Sequence, residues 1–238
     1  MSSDTTNNRP VSIITGGGTG IGRAIAKRMA KHARVVLVGR RPDPLHETGN
    51  DIGKEGNDWI AVSADISVAS DRDRIVESTI DAYGRIDHLI NNAAIGTCAP
   101  LCDLSEEEIE RLVSINLTAP ILLTRLALPH LIEHSGCVVS IGSRAAIDPF
   151  PGLGAYGCTK AGLEGLARCI ASEYGEQGVR AYTVHPGAVE TDMLRSIVSA
   201  EDLPSDQVLV PDDIAESVER LVLALMDDPN GKAAVVAK

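Results

Sequence analysis

The feature that most constrains the fold is a glycine-rich turn between a short β-rich run and a helical segment near the start of the chain. Val11–Thr15 is followed by five glycines within residues 16–22, and apolar residues from Ile21 to Met29 recur at three- and four-residue spacing. Glycines allow a backbone to approach a pyrophosphate closely, and the first turn of a helix offers unpaired N–H groups and a favourable dipole. The segment therefore predicts a strand–turn–helix unit that binds the phosphates of a dinucleotide.

Further apolar runs alternate with helical patterns along the rest of the chain. Strands are predicted at residues 11–15, 34–39, 59–64, 86–90, 136–141, 179–184 and 232–237, and helices at 72–83, from Ser105 towards Leu131, at 156–174 and after Asp212 or Asp213. Nearly continuous apolar strands are typical of a parallel sheet that is covered on both faces. The pattern predicts an α/β protein with a Rossmann-type, doubly wound, mostly parallel seven-stranded sheet. We expect one domain over residues 11–238, preceded by a flexible tail at residues 1–10.

The composition narrows the choice of partners. The chain carries 33 acidic and 22 basic side chains, for a net charge of −11, which disfavours nucleic acid and anionic membranes. The first ten residues have no apolar segment, and no later apolar run is expected to reach membrane-spanning length, so we expect a cytoplasmic protein. The five cysteines are expected to be reduced core thiols. Cys98 and Cys102 are not followed by a matching pair of ligands, so no metal site is predicted.

Two strand ends carry candidate groups for the adenosine half of a dinucleotide. The second strand ends at Gly39, Arg40 and Arg41, without the acid that binds a ribose hydroxyl. Arginine at this position accommodates a 2′-phosphate, so the sequence favours NADP over NAD, with Arg40 as the better candidate and solvated charges as the alternative. Asp65 ends the third strand, where it either contacts the adenine amino group or caps the next helix.

The later strand ends carry further polar groups. Asn91 and Asn92 follow a buried strand, and their amides are expected to brace the sheet edge because buried amides need partners. Asn116 lies among apolar neighbours in a long helix that Pro120 should bend. The loop at residues 185–191 is predicted to close on the nicotinamide end of the cofactor, with Thr191 as a carboxamide or phosphate contact.

Tyr156 and Lys160 are four residues apart in a helical segment and therefore share a face. An ammonium about 5 Å away lowers the pKa of a phenol by roughly two units at an effective dielectric constant of about 20. Such a phenol exchanges protons near neutrality, although the same pattern also describes a solvated surface pair. Ser143 follows the fifth strand, and the loop after it is long enough to bring its hydroxyl over the phenol.

Taken together, these motifs resemble the short-chain dehydrogenase/reductase family. The matching residues are the 15–22 turn, Asp65, Asn91–Asn92–Ala93, Asn116, Ser143, Tyr156, Lys160, Pro186 and Gly187. The resemblance implies hydride transfer between a nicotinamide and a carbonyl or carbinol carbon. It implies that Tyr156 is the general acid, that Lys160 lowers the phenol pKa and holds the nicotinamide ribose, that Ser143 binds the substrate oxygen, and that Asn116 steadies a water relay to Lys160. It also implies a homodimer or homotetramer.

The expected catalytic set is Asn116, Ser143, Tyr156 and Lys160. The expected cofactor-binding set is Gly16, Gly18, Thr19, Gly20, Ile21, Arg40, Asp65, Asn92, Ala93, Tyr156, Lys160, Pro186, Gly187, Val189 and Thr191. The chain departs from the family pattern at Ala94, Gly142 and Thr159, and it ends without the Asp-Gly-Gly tail that usually follows the last strand.

The function predicted from these residues is an NADP(H)-dependent oxidoreductase, with NAD(H) as a possible cofactor. The substrate is a small or medium carbonyl compound or secondary alcohol, and reduction is the expected direction. The substrate pocket is expected at residues 95–101, 144–153 and 193–210, with a mobile lid at 193–211. Arg144 and Arg195 could each meet a carboxylate. Two alternatives are a 3-oxoacyl-[acyl-carrier-protein] reductase and a non-catalytic dinucleotide-binding or sensing protein.

Overall fold

A seven-stranded, fully parallel sheet forms the centre of the protein. The computed structural model describes residues 9–225 and 229–237. The strands are β1 (Val11–Thr15), β2 (Arg34–Gly39), β3 (Trp59–Ser63), β4 (His88–Asn91), β5 (Cys137–Ile141), β6 (Arg180–Pro186) and β7 (Ala233–Val236), in the spatial order β3-β2-β1-β4-β5-β6-β7. The order reverses between β1 and β4, and this reversal opens a crevice at the carboxyl ends of the strands. The predicted doubly wound fold is confirmed, and every strand pair is parallel.

Helices cover both faces of the sheet. They are α1 (Gly20–Met29), α2 (Pro42–Lys54), α3 (Ala69–Tyr83), α4 (Glu106–Val113), α5 (Ala119–Glu133), α6 (Gly154–Tyr174), α7 (Asp192–Arg195) and α8 (Pro211–Val222). One buried cluster joins α1, α2 and α8 to the sheet, and a second joins α3, α5 and α6 to the opposite face. Ile13 and Ile14 of β1 are both fully buried, one in each cluster, because successive side chains of a strand point to opposite faces. Burying a side chain of this size contributes roughly 1.5–3 kcal/mol.

The predicted long helix is interrupted by a π-helical turn at Ser114–Thr118, between α4 and α5. Pro120 lies in the first turn of α5 and cannot donate a backbone hydrogen bond to the preceding turn, which explains why the break occurs here. Ser105 caps α4 in a capping box with Glu108, as the sequence pattern predicts.

By length and composition, residues 106–133 are apolar enough to cross a membrane, so the expectation that no run reaches spanning length is wrong. In the fold, Leu112, Leu123 and Leu131 of this stretch are fully buried or nearly so. These three side chains therefore pack in the protein core, as in the core helix of a globular protein, whereas Val113 and Ile121 of the same stretch are exposed.

The chain ends and the cysteines differ in detail from the sequence predictions. Residues 1–8 of the predicted tail, together with 226–228 and 238, lie outside the described residues, while Arg9 contacts the carbonyl of Ala30. The cap of α8 is Val210 and not Asp212 or Asp213, and its backbone N–H donates to the Asp213 carboxylate at 2.9 Å.

All five cysteines are free thiols, but only Cys137 is buried, so the prediction of core thiols is wrong for the other four.

Candidate active site

The glycine turn between β1 and α1 is closely packed. A side chain at Gly22 would place its Cβ 2.1 Å from the carbonyl oxygen of Gly16, and Gly16 and Gly20 have φ angles of +69° and +51°. Thr19 precedes α1 in an extended conformation and makes no side-chain capping hydrogen bond. The first N–H groups of α1 therefore have no side-chain cap, which fits the binding of a phosphate at this helix terminus.

The segment after β4 is tied to this turn by hydrogen bonds. The Asn92 side-chain amide donates to the carbonyl of Thr15 at 2.8 Å, and the Thr15 hydroxyl accepts from the backbone N–H groups of Asn92 and Ala93. The Asn91 amide donates to the Thr124 hydroxyl at 3.1 Å. The predicted bracing of the sheet edge is confirmed: Asn92 joins the end of β4 to the end of β1, and Asn91 joins β4 to α5.

A cavity of about 1000 Å³ lies at the carboxyl edge of the sheet. With the exception of Asn116, every residue of the predicted catalytic and cofactor-binding sets lines it. These residues are Gly16, Gly18, Thr19, Gly20, Ile21, Arg40, Asp65, Asn92, Ala93, Ser143, Tyr156, Lys160, Pro186, Gly187, Val189 and Thr191. The cavity is large enough for a dinucleotide and a small second molecule.

Ser143, Tyr156 and Lys160 meet at the middle of this cavity. Ser143 follows β5 directly, and a hydrogen bond links it to the Tyr156 side chain. Tyr156 and Lys160 lie one turn apart on α6, with the Lys160 Nζ 5.7 Å from the centre of the phenol ring. The ammonium donates to the carbonyl of Ile141 at 2.7 Å, so it is held below the phenol, between α6 and the end of β5.

Burial controls the protonation of this pair. Burial raises the pKa of Tyr156 above the ordinary value of about 10, and the hydrogen bond with Ser143 opposes that rise. Burial lowers the pKa of Lys160 to about 8. The expectation that Lys160 lowers the phenol pKa is therefore not met by the protein groups alone, because its ammonium is aimed at a backbone carbonyl and desolvation of the phenolate dominates.

Asn116 lies outside the cavity lining, in the π-helical turn. Its side chain is fully buried, accepts from the backbone N–H of Ile95 at 2.9 Å and donates to the carbonyl of Ile95 at 2.9 Å. It also donates to the Thr159 hydroxyl at 3.3 Å. Asn116 thus joins the helix to the cavity wall at Ile95 and to α6 beside Lys160.

At the end of the cavity beside β2 and β3, Arg40 and Asp65 face one another. The Arg40 guanidinium lies 4.0 Å from the Asp65 carboxylate and is largely exposed. The Asp65 carboxylate accepts from the backbone and the hydroxyl of Ser67, whereas α3 is preceded by Val68. Asp65 therefore closes a local turn and lines the cavity, but it does not cap α3.

The opposite end of the cavity is mainly apolar. The three predicted pocket segments contribute to its wall, through Ile95, Cys98, Arg144, Ala145, Phe150, Pro151, Leu153, Met193, Leu194, Ile197, Val198 and Leu203. The Arg144 guanidinium contacts the Asp148 carboxylate at 2.8 Å. Arg195 forms an ion pair with Glu190 and donates to the carbonyl of Leu203 at 2.7 Å. Both arginines are therefore paired within the chain, and their contact with a substrate carboxylate stays a prediction.

The sequence analysis places residue 185 in the loop that closes on the nicotinamide, but the structure places it in β6, behind Ser143 and outside the cavity lining. His185 of β6 is fully buried, and its Nδ1 lies 3.2 Å from the backbone nitrogen of Ser143. The space for its ring exists because residue 142 is glycine, where a Cβ would lie 2.5 Å from Nδ1. In the sequence, Gly142 is a departure from the family pattern, and that departure is the available indication of this contact.

No group of three or more His, Cys, Asp or Glu side chains suited to a metal ion occurs in the part of the chain that the structure describes.

The sequence model of the short chain dehydrogenase family matches residues 10–202. An uncharacterized oxidoreductase of Listeria monocytogenes is 32% identical over 218 residues, which cover 87% of this chain and 88% of that protein. Among solved structures, the 3-ketoacyl-(acyl-carrier-protein) reductase of Brucella melitensis complexed with NADH is similar with a TM-score of 0.89 and 32% identity, covering 96% of both chains. Levodione reductase is similar with a TM-score of 0.90 and 27% identity, again over 96% of both chains.

Proposed function

This chain belongs to the short-chain dehydrogenase/reductase family, and from that membership we propose that it is an NADP(H)-dependent reductase of small or medium, mainly apolar carbonyl compounds. The observation that carries the proposal is the position of the linked Ser143 and Tyr156 side chains. They lie in one cavity with the glycine turn on one side and an apolar wall on the other. A carbonyl oxygen bound there would meet two hydroxyl donors.

The glycine turn fits a dinucleotide phosphate, because the first turn of α1 has no side-chain cap and the glycines allow a close approach to the backbone. A bound nicotinamide supplies the hydride of the reaction. The protein groups supply the proton and the orientation. Tyr156 donates its proton to the developing alkoxide, and Ser143 donates a hydrogen bond to the same oxygen. A raised phenol pKa keeps Tyr156 in the acid form at neutral pH, which suits reduction.

Lys160 contributes a positive charge below the phenol. With a pKa of about 8 it is mostly protonated at pH 7, and its bond to the Ile141 carbonyl fixes where the charge lies. A fixed cation favours the phenolate that remains after proton transfer. In this proposal Asn116 is a positioning residue that holds the π-helical turn against Thr159 and the wall at Ile95.

The preference for NADP(H) rests on the adenosine end of the cavity. Arg40 and Arg41 follow β2, and Arg40 reaches over the pocket with most of its side chain exposed. A guanidinium suits a 2′-phosphate, and we propose that Asp65, which lines the same end of the cavity, contacts the adenine. The Brucella structure holds NADH, so both cofactors have to be compared directly.

The proposed substrate preference rests on the apolar end of the cavity, opposite Arg40 and Asp65. Its wall is apolar, and both arginines beside it are paired with carboxylates of the same chain. Residues 193–211 serve as the substrate lid, with Met193, Leu194 and Ile197 facing the cavity. An uncharged ketone or aldehyde suits this pocket better than a strongly anionic one.

A second candidate is the reduction of 3-oxoacyl-[acyl-carrier-protein]. It is supported by the similarity to the Brucella reductase. It is disfavoured by the net charge of −11, because an acidic carrier protein needs a basic docking surface. A non-catalytic dinucleotide-binding role is the third candidate, and the presence of Ser143, Tyr156 and Lys160 in one cavity argues against it.

The deciding experiment measures the loss of cofactor absorbance with NADPH and NADH in parallel, using aldehydes, ketones, cyclic diketones and 3-oxoacyl thioesters. Tyr156→Phe should lose turnover by about a hundredfold or more while it still binds NADPH. Tyr174→Phe, at the far end of the same helix, is the matched control and should keep turnover. Binding of cofactor without turnover of any substrate would favour the non-catalytic role.

The remaining parts of the proposal concern location and assembly. We expect a cytoplasmic homodimer or homotetramer that acts on a free small molecule, without nucleic acid or membrane. Val113 and Ile121, at the junction of α4 and α5, are more than a third exposed and offer apolar surface for a second copy. Light scattering of the purified protein measures the assembly directly.

A further inference from the structure

Phe150 is an exposed aromatic residue at the mouth of the cavity. It lines the cavity, yet it is 56% exposed, and it is the only phenylalanine of the chain. A single apolar side chain on a surface needs no explanation, but this one continues an apolar wall that includes Pro151, Leu153 and Met193. Apolar surface at the open end of a binding cavity indicates where an apolar part of the ligand lies.

The chain around Phe150 restrains the position of its ring. Pro149 and Pro151 flank it, and a proline fixes its own φ angle and favours extended conformations for the residue before it. The carbonyl of Phe150 accepts the backbone N–H of Leu153 at 3.0 Å, which closes the turn before α6. Tyr156 follows in the first turn of that helix. A restrained loop therefore presents the ring and leads directly to the proposed proton donor.

This loop is fixed to the neighbouring wall of the cavity. The backbone N–H of Ala99 donates to the carbonyl of Gly152 at 2.9 Å. Three residues before Ala99, a Cβ at Gly96 would lie 3.4 Å from the Met193 Cγ, so the proposed lid rests on the same wall segment. The loop, the wall segment and the lid therefore pack in series, and the Phe150 ring lies at the exposed end of the surface that they form.

We propose that Phe150 is a specificity-determining residue: the substrate carries a large apolar substituent on its carbonyl carbon, and the Phe150 ring packs against that substituent. This inference rests on the proposed function and names its substrate class. With the carbonyl oxygen at Ser143 and Tyr156, the substituent extends along the apolar wall towards the mouth. A six-carbon ring placed there removes apolar surface of both partners from water, whereas a methyl or ethyl group offers too little surface for this contact.

Because the chain has a single phenylalanine, its ring can be observed alone. The whole protein with 4-fluorophenylalanine in place of phenylalanine gives one ¹⁹F resonance, that of position 150. In the presence of saturating NADP⁺ or NAD⁺, whichever binds more tightly, 1-cyclohexylethanol should shift this resonance at least about threefold more than 2-butanol does. Equal shifts with both alcohols, or a shift with the cofactor alone that neither alcohol changes, would overturn the proposal.

Kinetics test whether this contact sets the substrate preference. In the wild-type protein, kcat/KM for cyclohexyl methyl ketone should exceed that for butanone by about tenfold or more, and Phe150→Ala should lower this ratio by about tenfold. Phe150→Leu keeps a large apolar side chain and should hold the ratio within about threefold of the wild-type value. A wild-type preference for butanone, or an unchanged ratio in a folded Phe150→Ala protein, would contradict the proposal.

Ile147 provides the matched control. It lies three residues before Phe150 in the same segment, is 49% exposed and is outside the cavity lining. Ile147→Ala should leave the ratio of the two ketones within about twofold of the wild-type value and should keep the ¹⁹F response. A loss of selectivity as large as that in Phe150→Ala would overturn the assignment to Phe150.

Two further outcomes are separated by design. A Phe150→Ala protein with a smaller mass in light scattering and an unchanged ratio would assign the exposed ring to contact with a second copy, against the proposal. If the wild-type protein oxidises neither NADPH nor NADH with any carbonyl compound, the proposed function fails. The ¹⁹F measurement needs no turnover and still decides whether a large apolar group lies against Phe150.

Discussion

The Lys160 ammonium donates a 2.7 Å hydrogen bond to the carbonyl of Ile141, the last residue of the strand that leads to Ser143. Its side chain is almost fully buried, and burial lowers its pKa from 10.5 to about 8. Below pH 8 both the folded and the unfolded protein carry this proton, so the folded state bears the full cost of the buried charge, at most about 3 kcal/mol. The cost fades as the pH rises from 8 towards 10.5, because the folded protein releases the proton first.

The free energy of unfolding of Lys160→Met should therefore exceed that of the wild-type protein at pH 7, and the difference should disappear by pH 10.5. It should also lower kcat by about a hundredfold or more, since the charge below the phenol is gone. Urea unfolding at pH 7 and pH 10.5 checks the first expectation. Lys54→Met is the control, because Lys54 is exposed and should show no such pH dependence. A Lys160→Met protein that is less stable at pH 7 would contradict the argument.

Arg40 should decide the cofactor preference. Removing one guanidinium that binds a phosphate costs roughly 1.5–3 kcal/mol, so Arg40→Ala should raise the KM for NADPH by about tenfold or more and leave the KM for NADH nearly unchanged. Arg41→Ala is the comparison, because Arg41 shares the same strand end. An equal rise of the KM values for NADPH and NADH in Arg40→Ala would show that Arg40 does not bind the 2′-phosphate.

Much of the fold and of the cavity lining could be predicted because the relevant forces are local. Buried parallel strands such as β2 are nearly continuous apolar runs, and the glycines at 16–22 have few uses other than a close backbone approach. Parallel strands also end at the same edge of the sheet. Polar residues that follow β1, β2, β5 and β6 therefore lie at one edge of the sheet, whatever the conformation of the loops between the strands.

The unpredicted features depend on contacts between distant segments or on helix rotation. Periodicity places Tyr156 and Lys160 on one face of α6, but it does not show that the ammonium turns towards Ile141. Periodicity also does not show that Glu190 forms an ion pair with Arg195. The π-helical turn at Ser114–Thr118 and the contact between His185 and Ser143 likewise follow from tertiary packing, which no local pattern encodes.

Arg195 should control the order of residues 193–211, the proposed substrate lid. Its guanidinium pairs with Glu190 and donates to the carbonyls of Ser199 and Leu203, so one side chain ties the lid to the loop after β6. Arg195→Met should speed hydrogen–deuterium exchange across residues 196–207 and raise the KM for substrate by about threefold or more. Asp202→Asn disturbs only the local contact with Ser199 and serves as the control. Unchanged exchange in Arg195→Met would show that the lid is held by its apolar contacts instead.

Asp148 should limit the charge of the substrates that the pocket accepts. It neutralises Arg144, which directly follows Ser143 and lines the cavity, and both side chains of the pair are about half exposed. Asp148→Asn leaves the guanidinium uncompensated, so the ratio of kcat/KM for a 2-oxo acid to that for a neutral ketone of equal length should rise about threefold to tenfold. The rise should shrink at high salt, because the site is open to solvent. In the double variant Arg144→Gln/Asp148→Asn the cation is absent and the ratio should return to the wild-type value; a gain that survives in the double variant would assign the effect to the shape of the pocket instead of its charge.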